Sequence, residues 1–444
     1  MPWCLASGLV ICQSGRTAGG SLGSPSYYGR EATLKKEFSI NLSGTTREAK
    51  LQRCSRHDCA TCAAAHPVSR LVKSMVNKVP IAEPVLGQEE LDNVLDAMRS
   101  GWISSSGPYV KQFEDAFAAF CGTRRAISVF NGTVALSLAL SAINLQPGDE
   151  VIVPSLTFMA SAATVMHLKA KPVFVDSDSR DWCMSPADVK RAITRKTKAI
   201  MPVHLYGHPC KMDEIIDIAE RHDLYVIEDA AEAHGAEFEG KRVGAIGDIG
   251  CFSFYANKIV TTGEGGMVTT SNDELAAKMQ LIKNHGMPAD HKYWHPVLGY
   301  NFRMTNLQAA IGAAQMPKIE NFIATKIRIA ERYTDAFKDN PNITRQETMP
   351  WAKNVYWMYS LRVASPTLRD KLSADLSRSN IDSRNVFIPC NEQPVAMDTF
   401  GRAMRPTPVA AEISRTGLSI PCGAGLTDEQ QDSVIAAVKK SVGP

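Results

Sequence analysis

From residue 79 onward, apolar positions alternate between two periodicities. Some segments carry apolar residues every three to four positions, which is typical of amphipathic helices, whereas others are short apolar runs bounded by turn residues, which are typical of buried strands. This alternation predicts an α/β fold with a mixed, mostly parallel sheet covered by helices on both faces. The predicted strands are 150–155, 171–178, 198–207 and 224–230, and the predicted helices are 87–101, 131–145, 158–170, 185–193 and 211–223.

After about residue 315 the pattern becomes less regular. A strand is predicted over 354–363, a helix over 367–380 and a final helix over 427–442, which opens with a capping box from Thr427 to Gln430. We therefore expect a large domain at 75–315 and a smaller C-terminal α+β domain at 316–444.

Residues 1–74 differ from the rest of the chain. They are rich in Ser, Gly, Arg and Cys and lack sustained periodicity, so we expect a disordered extension. The alternative is a metal-binding or interaction module, because Cys54, Cys59, Cys62 and His66 lie close together. However, only one C-x2-C pair is present and no second half of a zinc site follows it.

Composition narrows the class of protein. The chain has 444 residues and a formal net charge of +3, which is too small to indicate a nucleic-acid or membrane partner. The sequence contains no run of about 18 apolar residues, so no transmembrane helix is predicted. The 11 cysteines include several scattered singly, which suits reduced thiols better than a disulfide framework. We expect a cytoplasmic globular protein.

A carboxylate ends one of the predicted strands. The segment 224–230 finishes on Glu228 and Asp229, and the carboxyl ends of parallel strands face the ligand crevice of an open sheet. A buried carboxylate there requires a cationic partner or hydrogen bonds. Asp229 is therefore either a structural cap or ion pair, or the partner of a protonated heterocyclic nitrogen.

An anion-binding sequence precedes another predicted helix. Asn131, Gly132 and Thr133 lead directly into it, so backbone N–H groups and the positive end of the helix dipole are available to a phosphate. The hydroxyl of Ser253, at the end of a later strand, could join them. Taken alone, Asn-Gly-Thr is also compatible with a plain helix cap.

One lysine lies between aromatic residues and a glycine-rich turn. Lys258 follows Phe252, Phe254 and Tyr255 and precedes "TTGEGG". Most lysines are solvated, but a partly desolvated lysine loses its proton more easily and becomes a nucleophile towards carbonyl groups. An anion cradle, a buried aspartate and such a lysine together satisfy the requirements of pyridoxal 5′-phosphate (PLP).

Five ordered motifs carry a resemblance to a known family. "NGTVAL", "GDEVIVPSLTFMASA", "MPVHLYGHP", "VIEDAAEAHGA" and "FSFYANKIVTTGEGG" resemble the DegT/DnrJ/EryC1/StrS family of PLP-dependent sugar aminotransferases. The resemblance extends from about Val79 to the C-terminus and implies the fold-type-I aminotransferase fold. "GWISSSGPYVKQFE" and "EDAAEAHGAE" most resemble the perosamine-forming branch of that family.

The resemblance also implies a role for individual residues. It assigns Lys258 to covalent cofactor binding and proton transfer, and Asp229 to the pyridine nitrogen. Glu232 occupies the position beside the cofactor 3′ oxygen where many relatives have Gln. The remaining implied contacts are Phe158 stacked on the ring, Gly132, Thr133 and Ser253 at the phosphate, and Asn301 reaching the phosphate from the other subunit of a homodimer with shared active sites.

The implied reaction is transfer of an amino group from glutamate to C4 of a 4-keto-6-deoxy nucleotide sugar. A GDP-linked substrate is favoured over UDP- or dTDP-linked ones. A dehydrating enzyme is one alternative, but relatives that dehydrate a sugar have histidine in place of the lysine. A non-catalytic member of the family is another alternative. His204, His208 and His285 are expected to serve packing, substrate contact or a helix C-terminus rather than to bind a metal.

Overall fold

The computed structural model describes residues 78–401 and 404–443. Within this part of the chain the strands are, in order, β1 (Arg125–Val129), β2 (Glu150–Pro154), β3 (Lys171–Val175), β4 (Thr197–Ile200), β5 (Tyr225–Asp229), β6 (Glu237–Phe238), β7 (Lys241–Arg242), β8 (Ile249–Ser253), β9 (Gly266–Thr270), β10 (Ile343–Arg345), β11 (Ala352–Lys353), β12 (Tyr359–Val363), β13 (Arg384–Asn385) and β14 (Gly417–Ile420). The predicted 1–74 extension and its cysteines lie outside the described residues.

The helices within the described residues are amphipathic or buried. In chain order they are α1 (Gln88–Ser100), α2 (Pro108–Cys121), α3 (Gly132–Ala142), α4 (Ala160–His167), α5 (Pro186–Ala192), α6 (Met212–His222), α7 (Asp273–Lys283), α8 (Asn306–Gln315), α9 (Ile319–Phe337), α10 (Pro366–Arg378), α11 (Pro394–Phe400), α12 (Pro408–Thr416) and α13 (Asp428–Val442). Across these residues, none of the helices has the length and apolar character required to cross a membrane.

A seven-stranded sheet forms the centre of the fold. Its order is β1-β9-β8-β5-β4-β2-β3, with parallel pairing from β8 through to β3 and with β9 antiparallel to both of its neighbours. The sheet is therefore mixed and mostly parallel, which confirms the prediction made from the strand–helix alternation. Six strand ends point the same way, so their connecting loops gather at one edge.

Both faces of this sheet are covered. Along β2, Val151 and Val153 pack into a core with α3, α4 and α7, whereas Ile152 packs into a core with α5 and α6 on the opposite face. Because successive strand residues point to opposite faces, a continuous apolar run is what a doubly covered strand requires.

Residues beyond α9 build a second, antiparallel sheet of order β10-β12-β14-β13. Helices α10 and α13 pack against it around a core that includes Leu372 and Val434. Helix α9 contributes to two cores, with Ile323 near Phe117 and with Phe337 in the second sheet's core. The domain boundary at 315 stays a prediction.

Three predicted strands are shorter than expected. The strand predicted over 171–178 ends at Val175. The strand predicted over 198–207 ends at Ile200, and Leu205–Gly207 forms a 3-10 turn in which Tyr206 has a φ of 58°. The strand predicted over 354–363 begins only at Tyr359. The capping box of the last helix is confirmed: Thr427 Oγ1 accepts from the Gln430 N–H at 3.2 Å, and Gln430 Oε1 accepts from the Thr427 N–H at 3.1 Å.

Candidate active site

A cavity of about 420 Å³ lies beside the carboxyl ends of β5 and β8. Its lining residues include Arg384 of β13 and Trp357, which lies just before β12. Seven of the eight residues predicted for the site line it: Gly132, Thr133, Phe158, Asp229, Glu232, Ser253 and Lys258.

The N-terminus of α3 forms one wall. Asn131 caps the helix by accepting a hydrogen bond from the Val134 N–H at 2.9 Å, so the N–H groups of Gly132 and Thr133 lie in the first turn, where no intrahelical acceptor exists. A Cβ on Gly132 would lie 2.7 Å from the Cβ of Ser253. Glycine is therefore required for the close approach of the helix to the end of β8, and together these groups form an anion cradle.

Asp229 is buried at the end of β5. Its Oδ2 accepts a hydrogen bond from Ser161 Oγ at 2.8 Å, and its Oδ1 accepts one from the Ala231 N–H at 3.2 Å. Burial raises the pKa of Asp229, and the two hydrogen bonds and the charge of Lys258 partly offset that rise. The arrangement fixes the orientation of the carboxylate and suits it to a cationic partner.

Lys258 follows β8 through a turn in which its N–H donates to the Tyr255 carbonyl at 2.9 Å. Its Nζ lies 3.5 Å from the centre of the Trp357 ring. Burial lowers the pKa of the amine, while Glu232 and Asp229 oppose this shift and Arg384 adds to it. The amine is therefore more easily deprotonated than that of a solvated lysine, which favours nucleophilic chemistry.

The surroundings of Lys258 differ from the expected ones. Phe252 and Phe254 are buried in the core with Phe117, and Tyr255 is about half exposed. The aromatic residue that contacts the amine is Trp357, whose Nε1 donates to the Asn257 carbonyl at 2.9 Å.

Glu232 lies close to both Asp229 and Lys258. Its Oε2 accepts a hydrogen bond from the Tyr206 N–H at 2.9 Å. Burial raises the pKa of Glu232 to about 7; the charge of Lys258 opposes the rise, and the charge of Asp229 adds to it. Its carboxyl group can therefore change charge near neutral pH.

The last two predicted residues occupy more open positions. Phe158 is 60% exposed, and its ring centre lies 5.9 Å from that of Phe387, so one wall of the cavity is aromatic. Asn301 lies outside the cavity: it forms a β-bridge with Asn284, and its Oδ1 accepts from Arg303 Nε at 3.0 Å. Its contact with a cofactor phosphate in the partner subunit stays a prediction.

Two of the three noted histidines, His204 and His208, are buried in packed surroundings, and His285 is exposed. His204 Nε2 lies 3.0 Å from Glu228 Oε2, and His208 Nε2 accepts from the Met349 N–H at 3.1 Å. His285 lies two residues beyond the end of α7, in a left-handed conformation, so it does not belong to the last turn of that helix. Among the described residues, no group of three or more His, Cys, Asp or Glu side chains could hold a metal ion.

Three residues of the site escaped the sequence analysis. Ser161 could have been found from its place in the first turn of α4, near the strand ends. Trp357 and Arg384 come from the C-terminal part of the chain and have no local motif around them. They reach the cavity only because the second sheet packs next to the first.

The residue set fits PLP. The Gly132–Thr133 cradle suits a phosphate, the Asp229 carboxylate suits a ring nitrogen, and the Lys258 amine suits an aldehyde. The close approach that only glycine allows at position 132 and the amine with a lowered pKa are the structural observations behind this fit.

Comparison with known proteins agrees with this chemistry. The chain is 46% identical to a GDP-perosamine synthase of Caulobacter vibrioides, over 81% of this chain and 97% of the relative, and 41% identical to one of Escherichia coli O157:H7, over 79% and 95%. Among solved structures, S. venezuelae DesV matches with a TM-score of 0.76 and 34% identity over 80% of this chain and 95% of the other.

A second solved structure bears on the cofactor. Streptococcus pneumoniae Spr1654, solved in a PLP form, matches with a TM-score of 0.78 and 28% identity, over 82% of this chain and 98% of the other. The predictions of an aminotransferase fold, aminotransferase activity and PLP dependence are confirmed by these matches and by the family model. Residues 84–439 match that model, and the chain belongs to the DegT/DnrJ/EryC1/StrS aminotransferase family.

Proposed function

We propose that this enzyme transfers an amino group from glutamate to C4 of a GDP-linked 4-keto-6-deoxy sugar, with PLP as cofactor. The observation that carries the proposal is the convergence of Lys258, Asp229 and the N-terminus of α3 on one cavity. These groups come from three separate strand–loop connections, and a fold without this chemistry gives no reason to place all three together.

When bound, PLP supplies an aldehyde that forms a covalent bond with an amine and a ring that accepts electrons from the substrate. The Gly132 and Thr133 N–H groups and the Ser253 hydroxyl would hold its phosphate. Asp229, fixed by Ser161, would keep the ring nitrogen protonated, because a carboxylate stabilises an adjacent cation in a buried site.

Lys258 would serve twice. Its amine would hold the cofactor covalently, and the same Nζ would move a proton at the reacting carbon of the substrate. A lowered pKa suits both tasks, because the neutral amine is the nucleophile and also the base. The Trp357 ring limits the space available to Nζ on one side.

We further propose a homodimer with shared active sites. Asn301 lies outside the cavity of its own chain, and the segment preceding it carries strongly exposed apolar side chains, with Tyr293 at 88% and Leu298 at 95% exposure. Apolar side chains this exposed are typical of a surface that a partner covers. Sedimentation of the purified protein at two concentrations tests the assembly.

The GDP-linked substrate rests on the perosamine synthase relatives, whose sequences match this chain over almost their whole length. A dTDP-linked substrate is the second candidate, because a Streptomyces venezuelae dTDP-3-amino-3,4,6-trideoxy-alpha-D-glucose transaminase is 35% identical over 82% of this chain and 96% of the relative. Dehydration is disfavoured because Lys258 is present. A role in surface polysaccharide synthesis, such as O-antigen formation, and a cytoplasmic location remain predictions.

A substrate panel tests the proposal. The purified enzyme is incubated with glutamate and with GDP-, UDP- or dTDP-linked 4-keto-6-deoxy sugars, and the mass of the aminated product is measured. We expect the GDP-linked sugar to be converted fastest. Faster conversion of the dTDP- or UDP-linked sugar would overturn the nucleotide assignment, and a dehydrated product would overturn the reaction.

A further inference from the structure

Glu232 lines the cavity and accepts unusually few hydrogen bonds for a buried carboxylate. It is buried, and its Oε2 accepts one hydrogen bond, from the Tyr206 N–H. Within the described part of the chain, Oε1 accepts none. An ionised carboxylate can accept about four hydrogen bonds, so this environment satisfies the charged form poorly.

Glu228, four residues earlier, shows what a buried carboxylate receives when the protein keeps it ionised. It accepts hydrogen bonds from the N–H groups of Gly244, Ile246 and Gly247 at 2.7–2.8 Å and lies 3.0 Å from His204 Nε2. Burial would raise the pKa of Glu228, but these partners hold it below its usual range. Glu232 has no comparable set.

The charged and titratable groups around Glu232 are few. Asp229 faces it from the end of β5, Lys258 from the turn after β8, and Tyr206 from the 3-10 turn. Arg384 of β13 and Glu264 line the same cavity. Of these, Lys258 is the cation that favours the carboxylate form, and Asp229 disfavours it. Burial raises the pKa of Glu232 to about 7.

Cofactor binding adds charges of both signs: the protonated ring nitrogen offsets Asp229, whereas the phenol oxygen, which Glu232 is expected to adjoin, places negative charge beside Glu232. PLP brings a phosphate and an acidic phenol oxygen into a cavity that already holds the carboxyl groups of Asp229, Glu232 and Glu264, and like charges in a buried site oppose one another. Covalent attachment also converts the free Lys258 ammonium, the cation that favours ionised Glu232, into an imine nitrogen. The negative phenol oxygen beside Glu232 raises the cost of a charge on it.

We propose that Glu232 takes up a proton when PLP binds and functions as a neutral carboxylic acid that donates a hydrogen bond into the cavity. The inference rests on the proposed function, because it requires PLP in this cavity. The proton comes from the buffer, the carboxylate becomes a carboxyl group, and no electrons are transferred. Glu232 is then a positioning residue whose charge is linked to cofactor occupancy.

The test counts protons. PLP is titrated calorimetrically into the cofactor-free protein at pH 8, in two buffers with different ionisation enthalpies, for the wild type and for Glu232→Gln. At pH 8 Glu232 of the cofactor-free protein is mostly ionised, so we expect the wild type to take up more protons than the variant, by up to one per chain. At pH 5.5, where Glu232 is already protonated, the difference should nearly vanish.

Equal proton uptake by the two proteins at pH 8, or smaller uptake by the wild type, overturns the inference. Infrared difference spectra of the wild type supply a measurement that does not depend on the variant's folding. We expect the C=O stretch of a neutral carboxylic acid to appear on PLP binding at pH 8, and its absence would contradict the inference. Failure of the wild type to bind PLP at all would instead refute the proposed function.

Discussion

The end of β5 carries two carboxylates with different surroundings. Glu228 and Asp229 are adjacent at the end of β5, yet Glu228 enters a closed set of backbone donors with His204, whereas Asp229 faces the cavity together with Glu232 and Lys258. Protein groups satisfy the charge of Glu228. Asp229 and Glu232 have fewer protein partners and face a cavity that a ligand can occupy. Glu228 therefore stabilises the fold, whereas Asp229 and Glu232 are available to a cofactor or substrate.

The electrostatics follow the same division. Hydrogen bonds outweigh burial at Glu228, and its pKa is lowered, whereas burial prevails at Asp229 and Glu232, whose pKa values are raised. A protein can hold a buried carboxylate ionised when it supplies three or four donors. The cavity side does not supply them, which is typical of functional sites.

The largest effect that would test this comparison is loss of the cavity amine. Lys258→Ala should reduce amino transfer by more than about 10⁴-fold, because both the covalent attachment point and the proton carrier are lost. The visible absorbance of bound cofactor should change with it. The measurement is product mass per unit time, with the half-exposed Lys278→Ala as the matched control. Full activity in Lys258→Ala would refute the assignment of the site.

A smaller loss is expected from the ring-nitrogen partner. Asp229→Asn keeps the shape and removes the charge, so activity should fall roughly 10²- to 10³-fold, the size typical of removing a key electrostatic contact. Ser161→Ala keeps the charge and removes only the 2.8 Å hydrogen bond, so its loss should be smaller, about tenfold. Steady-state rates of the two variants check the order, and a greater loss in Ser161→Ala would contradict it.

Removal of the Glu228 carboxylate is expected to change stability. Glu228→Ala leaves His204 and three backbone N–H groups without their acceptor and should lower the free energy of unfolding by about 3–5 kcal/mol. Because the pKa of Glu228 is lowered in the fold, its contribution is present above the unfolded pKa and is lost as pH falls through the folded one. Urea unfolding at pH 7 measures it, with the exposed Glu220→Ala as control; equal stability of the two variants would contradict the account.

The smallest effect has the opposite sign. In the cofactor-free protein the raised pKa of Glu232 means that the folded state binds more protons than the unfolded state between about pH 4 and 7, so stability falls as pH rises through that range. Glu232→Gln removes this penalty. We expect the free energy of unfolding of the variant, relative to that of the wild type, to increase by on the order of 1–3 kcal/mol from pH 5 to pH 8. Urea unfolding at both pH values checks this, and a constant difference would contradict it.

Much of the fold was predictable because its signals are local. Apolar runs such as those at β2, β3 and β5 and the helix caps at Asn131 and Thr427 depend on residues adjacent in the chain. The strand predicted over 198–207 was too long because an apolar pattern does not report where the backbone leaves the sheet: the strand ends at Ile200, and Tyr206 has a left-handed conformation.

The candidate site was predictable where one motif holds the residue. Lys258, Asp229 and Gly132 each stand in a short stretch with a chemical reason for that residue type. Trp357 and Arg384 could not be found this way, because their place at the cavity depends on packing between elements about 100 or more residues apart. The contact predicted for Asn301 is with a second subunit, and a single chain does not test it.

The most direct test of the central claim is to locate the covalent bond to the cofactor. The purified protein is saturated with PLP, reduced with borohydride, digested and mapped by mass spectrometry. We predict one modified peptide per chain, with the label on Lys258, and no label at that peptide in Lys258→Ala. A label on another lysine, such as the buried Lys326, or no label at all, would contradict the account.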